Sequence, residues 1–417
     1  LKEIGYRPEP FVVCDALMYA DGKAVVEITN MSLRLTGATR EEIERLWDLR
    51  RAGERPPTSL ALFDRDRITA FAIGKPSEAF GDRYLVFDEE RVIARLPGPP
   101  FQFLDRITEI RNCEPWVMAA GGEIVAEYDV PPGEWYFASN RQPTMPFAVL
   151  LEIALQPCGW LAAYLGSALS SPVDLSFRNL GGCATQFEAV GPDAGRLTTH
   201  VKITKVSTSG GMIIQNYNYR VTRAGRTVYE GDTYFGFFSK ASLAQQVGIR
   251  DAKPYQPNAA EVRRGRSFPV PREAPFPDER LRMVDDIDLF IPDSGPLGLG
   301  YIRGSKRVNP ADWFFQAHFF QDPVWPGSLG LEAFLQLLKI VAAERWGADI
   351  HHPGQTMILG QPHTWVYRGQ VVQTNGRVRV EAYLTGIDDA TRTIRANGFL
   401  SVDDRVIYQM TDFTLQG

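Results

Sequence analysis

Glu332 and Gln336 are the polar residues of the run Leu329–Leu338, and they stand four apart, so a helix carries both on one face. Glu152 and Gln156 repeat the arrangement 180 residues earlier, with Pro157 placed to kink that helix one residue later. A carboxyl in apolar surroundings keeps its proton to higher pH, which suits a general acid that protonates a departing hydroxyl. The competing reading is a surface Glu, or one held by Gln for structure alone. Histidine is scarce: His200, His318, His351, His352 and His363 are all there are. His318 stands fourteen residues ahead of Glu332, just before a Pro-rich turn. A neutral imidazole in an apolar loop is a suitable base near neutral pH. Gly327 opens the helix, so its N–H and the positive helix end can stabilise an enolate oxygen. A lone His here is more often structural, but base, acid and helix N-terminus within fifteen residues favour chemistry. Asp322 precedes a proline and reads as a turn residue. His351, His352 and His363 lack metal-type spacing with carboxylates, and neither a role nor a metal is assigned to them.

The elements that must position these groups come in two copies. Pro143, Pro146, Val149, Leu151, Glu152 and Gln156 match Pro323, Pro326, Leu329, Leu331, Glu332 and Gln336 at one offset of 180 residues. Trp135-Tyr-Phe137 matches Trp313-Phe-Phe315 at 178, so the first copy is two residues shorter between that triplet and its first Pro. Gly225 to Tyr229 matches Asp404 to Tyr408 at 179, both in strand–turn–strand patterns. Ala20-Asp-Gly-Lys23 and the strand after it echo Val402 to Met410, which marks residues 1–36 as candidate closing strands of a preceding similar domain. Thr39 to Arg51 reads as a charged surface helix.

In the second copy a helix is expected from Ser328 to Trp346, too apolar to leave a broad polar face. Strands follow at Thr364–Val372, Val378–Leu384, Thr393–Val402 and Val406–Leu415, an α+β layout with a buried helix cradled in antiparallel sheet. Six prolines in 246–278 suggest a linker rather than a strand or helix. Its cluster Arg263-Arg264-Gly-Arg266 is a solvated run or a dock for an acidic carrier. The resulting division is an N-terminal segment 1–55, a first copy 56–245, the linker 246–278 and a second copy 279–417.

The run from His318 to Gln336 closely resembles the active-site segment of the bacterial 3-hydroxydecanoyl-ACP dehydratase/isomerase family. That family has His-Phe-x-Gly-Asp-Pro-Val-x-Pro-Gly, then a helix with Asp or Glu fourteen residues after the His; Glu332 has that spacing. Tyr367 to Val371 and Val402 to Tyr408 resemble its later strands. The tandem layout is similar to the dehydratase regions of polyunsaturated fatty acid synthases and polyketide-synthase-like multienzymes. The resemblance spans residues 60–417 and implies a double hot-dog, two folds each wrapping a long helix in antiparallel sheet. In that family each site takes its His from one fold and its acid from the partner's helix, so His318 would face Glu152.

On this resemblance His318 is the base, Glu152 the acid, Gly327 the oxyanion donor and Gln156 the residue that holds Glu152. Glu332 and Gln336 fall in a pseudo-site facing the first copy's shortened loop, which has no His. Trp325 and Met145 line an acyl tunnel or pack the core. The implied reaction is that of a hydro-lyase, 3-hydroxyacyl-ACP to trans-2-enoyl-ACP. It needs no metal or cofactor, since the substrate rides on the phosphopantetheine of an acyl carrier protein. Two departures stand out: Gln321 replaces the family's loop Gly, and the acid is Glu rather than Asp, which weighs against double-bond isomerisation. The rivals are a hot-dog acyl-thioesterase and a non-catalytic acyl-binding module. Expected partners are the carrier protein and other domains of the same multienzyme; the copies form an internal pseudo-dimer, which leaves room for a further homodimer.

Composition bounds these readings. The 417 residues carry 45 basic and 50 acidic side chains, a net charge of −5, which supplies no basic surface for nucleic acid. Four cysteines without C-x-x-C spacing fit a reducing, cytoplasmic setting. The most apolar run, Thr144 to Ala168, is interrupted by Glu152, Gln156 and Pro157, so no membrane span is expected. The start at Leu1, with neither Met nor a signal pattern, reads as a segment of a longer chain.

Overall fold

The computed structural model describes residues 2–6, 9–20, 23–36, 39–41, 61–347 and 355–417. His351, His352 and most of the expected surface helix Thr39–Arg51 lie outside the described residues. The chain divides into two compact units, Leu1–Ser59 and Leu60–Gly417.

In the smaller unit, β1 (Glu3–Gly5), β2 (Phe11–Ala20) and β3 (Lys23–Arg34) form an antiparallel meander. Several of its apolar side chains are exposed: Ile4, Leu17 and Leu33 are 63%, 54% and 60% exposed.

The larger unit is built on one thirteen-stranded antiparallel sheet. The first copy supplies β4 (Arg106–Arg111), β5 (Glu123–Asp129), β6 (Ser176–Gln186), β7 (Arg196–Ser209), β8 (Met212–Arg223) and β9 (Arg226–Phe238). After β10 (Arg266–Pro269), the second supplies β11 (Asp286–Ile291), β12 (Tyr301–Arg307), β13 (Pro362–Tyr367), β14 (Arg377–Asp388), β15 (Thr393–Val402) and β16 (Arg405–Gln416). The order is β10-β11-β12-β14-β15-β16-β13-β6-β9-β8-β7-β5-β4, so the copies mirror each other about the β13–β6 seam. Alternation sets the faces: in β14, Val378, Val380, Ala382 and Leu384 are buried and the residues between them are partly exposed. The fold is a double hot-dog of the α+β class.

Each copy wraps one long helix. Phe147–Tyr164 packs on β5, β7 and β8, Gly327–Trp346 packs on β12, β14, β15 and β16, and the two helices touch. Every residue from Ser328 to Ala342 is buried, which explains why the second helix has no polar face. By length and composition Phe147–Tyr164 would suffice to cross a membrane, but 89% of it is buried inside the unit, as in a core helix. Pro157 lies inside that helix without ending it; the Ile153 carbonyl that it leaves without an N–H partner accepts from Thr199 Oγ1 at 3.3 Å.

Between the copies, the expected linker contains ordered elements. Asn258 caps the helix Ala259–Arg264 in a capping box with Glu261, and Arg266–Pro269 joins the sheet as its edge strand. The prolines delimit these elements, with only Pro269 inside one, at the end of an edge strand that tolerates a missing donor. The basic cluster is paired locally, Arg264 with Asp293 and Arg266 with Glu344. Residues 61–100 form a cover over the C-terminal half of the first long helix, where Phe63 and Phe80 pack on Trp160 and the Tyr84 hydroxyl donates to the Ala163 carbonyl.

The small unit's hairpin copies β15–β16 in register. Ala20↔Lys23, Met18↔Val26, Ala16↔Ile28 and Cys14↔Met31 fall at one constant offset from Val402↔Arg405, Leu400↔Tyr408, Gly398↔Met410 and Ala396↔Phe413, irregularities included. At the second irregularity Asn30 (φ 55°) donates its N–H to Asp15 Oδ1 at 2.8 Å, and Asp412 (φ 58°) donates to Asn397 Oδ1 at 2.7 Å.

Candidate active site

A cavity of about 840 Å³, including its open mouth, lies between the copies and is walled by Glu152, Gln156, His318, Trp325, Gly327 and Ser328 among others. His318 and Glu152 come from different copies and meet on this one surface. His318 ends the short helix Trp313–Ala317, and its own N–H and carbonyl are bonded to Phe314 and Val324. Its ring Nδ1 lies 3.0 Å from the Val324 carbonyl. A carbonyl only accepts, so Nδ1 carries the proton and Nε2 keeps its lone pair. Burial pushes the His318 pKa down to about 3, so the ring is neutral across the ordinary pH range.

Glu152 is buried in the middle of its helix, and burial holds its pKa above the usual carboxylate range. Ser328 Oγ donates to its Oε1 at 2.7 Å and Gln156 Nε2 to its Oε2 at 3.0 Å. Gln156 also accepts from Phe103 N–H at 2.8 Å and donates to the Phe101 carbonyl at 2.8 Å, which fixes its amide. Gly327 starts the second helix, where first-turn N–H groups have no intrahelical partner. A Cβ there would sit 2.9 Å from the Tyr367 ring, so any side chain would have to displace that ring.

Sequence reasoning does not single out three contributors. Ser328 reaches across the copies to Glu152; its neighbour Gly327 is the only signal. Tyr367 lines the cavity with a buried hydroxyl that has no partner. Arg178 of the first copy clamps Asp322 with two bonds, 2.8 and 2.9 Å long, so Asp322 is both the turn residue expected and an anchor for the His318 loop. Gln321, in place of the family's loop Gly, adopts φ 66°, a conformation that glycine takes without strain.

The FabA-like domain model matches residues 96–232 and again 276–411, together about two-thirds of the chain. The chain belongs to the FabA-like domain family. It is 29% identical over 379 residues to a polyunsaturated fatty acid synthase subunit of Thraustochytrium sp., covering 83% of this chain and 25% of that protein. The chain thus spans about a quarter of that relative's length. Among solved structures, the dehydratase domain from the CurJ module of curacin polyketide synthase superposes with TM-score 0.41 at 10% identity, covering 74% of this chain and 95% of that one. An acyl-CoA thioesterase II, TesB2, from Mycobacterium marinum gives TM-score 0.38 at 10% identity, covering 70% and 93%.

The two FabA-like copies are not equivalent at their mirror-image sites. Asn140 stands where His318 stands in the other copy, and its Nδ2 donates to the Thr144 carbonyl at 2.8 Å, as His318 does to Val324. Phe147 replaces Gly327 and Ala148 replaces Ser328; Ala148 N–H donates to Glu332 Oε2 at 3.2 Å. Gln336 holds Met283 N–H and the Leu281 carbonyl, but makes no bond to Glu332. Instead Lys339 Nζ lies 3.5 Å from Glu332 Oε1, both side chains buried. Met145 belongs to this smaller cavity with Glu332, not to the His318 cavity as expected, because the pseudo-symmetry puts each copy's Pro-rich turn against the opposite helix. Trp325 does line the His318 cavity, and packs on Phe314 with ring centroids 4.6 Å apart.

His363 is buried on the same side as the pseudo-site, bonded to the Tyr229 hydroxyl at 3.0 Å and in ring contact with Phe147, Trp365 and Phe413. Burial lowers its pKa from 6.5 to about 3, as for His318. The unfolded chain therefore takes up protons from pH 6.5 downward that the folded chain refuses, and stability is lost as pH falls from 6.5 towards 3. His363→Phe is expected to make that acid limb shallower, as read from urea midpoints over this pH range.

Proposed function

We propose that this chain is a 3-hydroxyacyl thioester dehydratase, a hydro-lyase acting on substrates carried by an acyl carrier protein within a multienzyme. The observation that carries it is one cavity shared by a neutral imidazole with a free Nε2 and a carboxyl whose pKa burial raises. In this reading His318 Nε2 takes the proton from C2. The C2–H electrons form the C2=C3 bond as the C3–O bond breaks, and Glu152 protonates the leaving hydroxyl to give water. The Gly327 N–H, at the positive helix end, stabilises charge on the thioester oxygen. Gln156 and Ser328 position Glu152. Hydrolysis is disfavoured, because activating water requires an ionised carboxylate where burial favours the acid. Incubation with a 3-hydroxyacyl pantetheine thioester is expected to yield the trans-2-enoyl thioester; release of free thiol without enoyl product would make the chain a thioesterase instead. The cytoplasm and neighbouring synthase domains are the setting this reading implies.

We also infer from the shared hairpin register that residues 2–36 are closing strands of another copy of the same fold, followed by the tandem pair. In the 417-residue chain the exposed face of Met18 and Leu33 is then expected to bind a hydrophobic dye, and Met18→Ser with Leu33→Ser to reduce it. Supplying the remaining strands of such a fold to cover this hairpin should lower dye binding; equal binding would count against the inference.

A further inference from the structure

We propose that the far end of the acyl chain occupies a second chamber behind Gly159, and that this glycine sets the longest chain the cavity accepts. The proposal rests on the reading above only for the ligand being an acyl thioester. A separate, narrow void, about 270 Å³ with its open mouth included, adjoins the main cavity and is walled by Ile93, Ala163, Ala168 and Phe237. It shares Arg95, Gly159 and Phe177 with the main cavity, so these three stand at the boundary where the proposed neck would run. The guanidinium of Arg95 is tied to the carbonyls of Phe71 and Gly74 at 3.0 and 2.8 Å.

Gly159 follows Glu152 by seven residues, two helical turns, so it lies on the same face and roughly 10 Å further along the axis. An acyl tail that runs along this face from a C3 hydroxyl at Glu152 would reach it. Glycine is among the worst residues for a helix interior, and here it leaves room. A Cβ at 159 would lie 3.1 Å from Leu96 Cδ2 and 3.4 Å from Phe177 Cε1, two side chains that wall the main cavity. A larger side chain would close the neck. The other copy shows what filling this position does: its equivalent is Lys339, whose buried stem and amine occupy the space beside Glu332.

The test is equilibrium binding of a ladder of saturated acyl-pantetheine thioesters, butyryl to dodecanoyl, to the full chain. In the wild type, affinity should rise about fourfold per buried methylene until the chamber is full. In Gly159→Leu the rise should stop at a shorter chain, and in Ala168→Phe, at the chamber's wall, at an intermediate one. Should Gly159→Leu fail to fold, Gly159→Ala and Ala168→Phe carry the comparison. A break point that stays put in the folded variants, with all affinities displaced equally, would make Gly159 a packing residue and overturn the proposal; so would a wild type without length dependence. Binding needs no turnover. A chain whose break point moves but which forms no enoyl product would therefore overturn the dehydratase reading and leave the chamber standing.

Discussion

His318→Ala is expected to lower kcat for dehydration by about 10²- to 10⁴-fold, the range that general acid–base groups supply. Glu152→Gln should fall in the same range, because an amide keeps the hydrogen bonds of Ser328 and Gln156 within reach but has no acidic proton to give. Glu332→Gln should leave kcat within a few-fold, since Glu332 lines the other cavity, with Asn140 in place of histidine. The reverse pattern, with Glu332 essential and Glu152 dispensable, would refute pairing across the copies. The pH profile adds a second check. His318 remains a free base down to about pH 3, so protonating it does not limit the rate near neutrality. Glu152 must stay protonated, and its pKa is raised, so the rate should fall as pH climbs through that elevated value. A rate that rises steadily through neutral pH would contradict this assignment of acid and base. Steady-state kinetics on the three variants, with kcat and KM separated, makes the measurement.

Lys339→Met is expected to destabilise the larger unit by about 3–5 kcal/mol, the usual result of removing one partner from a buried ion pair. Lys339 is 6% and Glu332 1% exposed, and the amine is the nearest cation to an Oε1 that has no hydrogen bond. Without Lys339 the carboxylate is buried alone in the pseudo-site. The double variant Lys339→Met, Glu332→Gln should recover most of the loss, because the amide needs no counter-charge and still accepts from Ala148 N–H. Urea denaturation of the two single variants and the double variant yields the coupling directly. Additive losses would show that the pair is not energetically linked.

Glu152 and Glu332 occupy mirror-image positions in the two copies. Glu152 with Gln156 and Glu332 with Gln336 are visible as polar pairs on apolar helices because helical spacing is local, and both helices lie where that spacing puts them. The strands of the second copy are legible for the same reason: alternation reports a single buried face, as Val378 to Leu384 illustrate. The candidate Thr364–Val372 runs past the true end at Tyr367, because the following residues leave the sheet to wall the cavity and Val371 bonds instead to Trp325 N–H. The Pro-rich segment reads as a bare linker because prolines mark the joints, and the short helix and edge strand between them are too brief to carry a period.

Residue order alone carries the double architecture, the two buried helices, the histidine just ahead of the second helix and the lack of one in the first copy's loop. Those are matters of residue type and of spacing within one element. Which elements face each other is set by the tertiary structure: Ser328 on Glu152, Ala148 on Glu332, and Arg178 of a strand on Asp322. It also moved Met145 to the pseudo-site and set Lys339 beside Glu332. The physical reason is that periodicity records which side of an element is buried, not what it is buried against. Partners more than 140 residues apart meet only because one continuous sheet closes both copies about the β13–β6 seam.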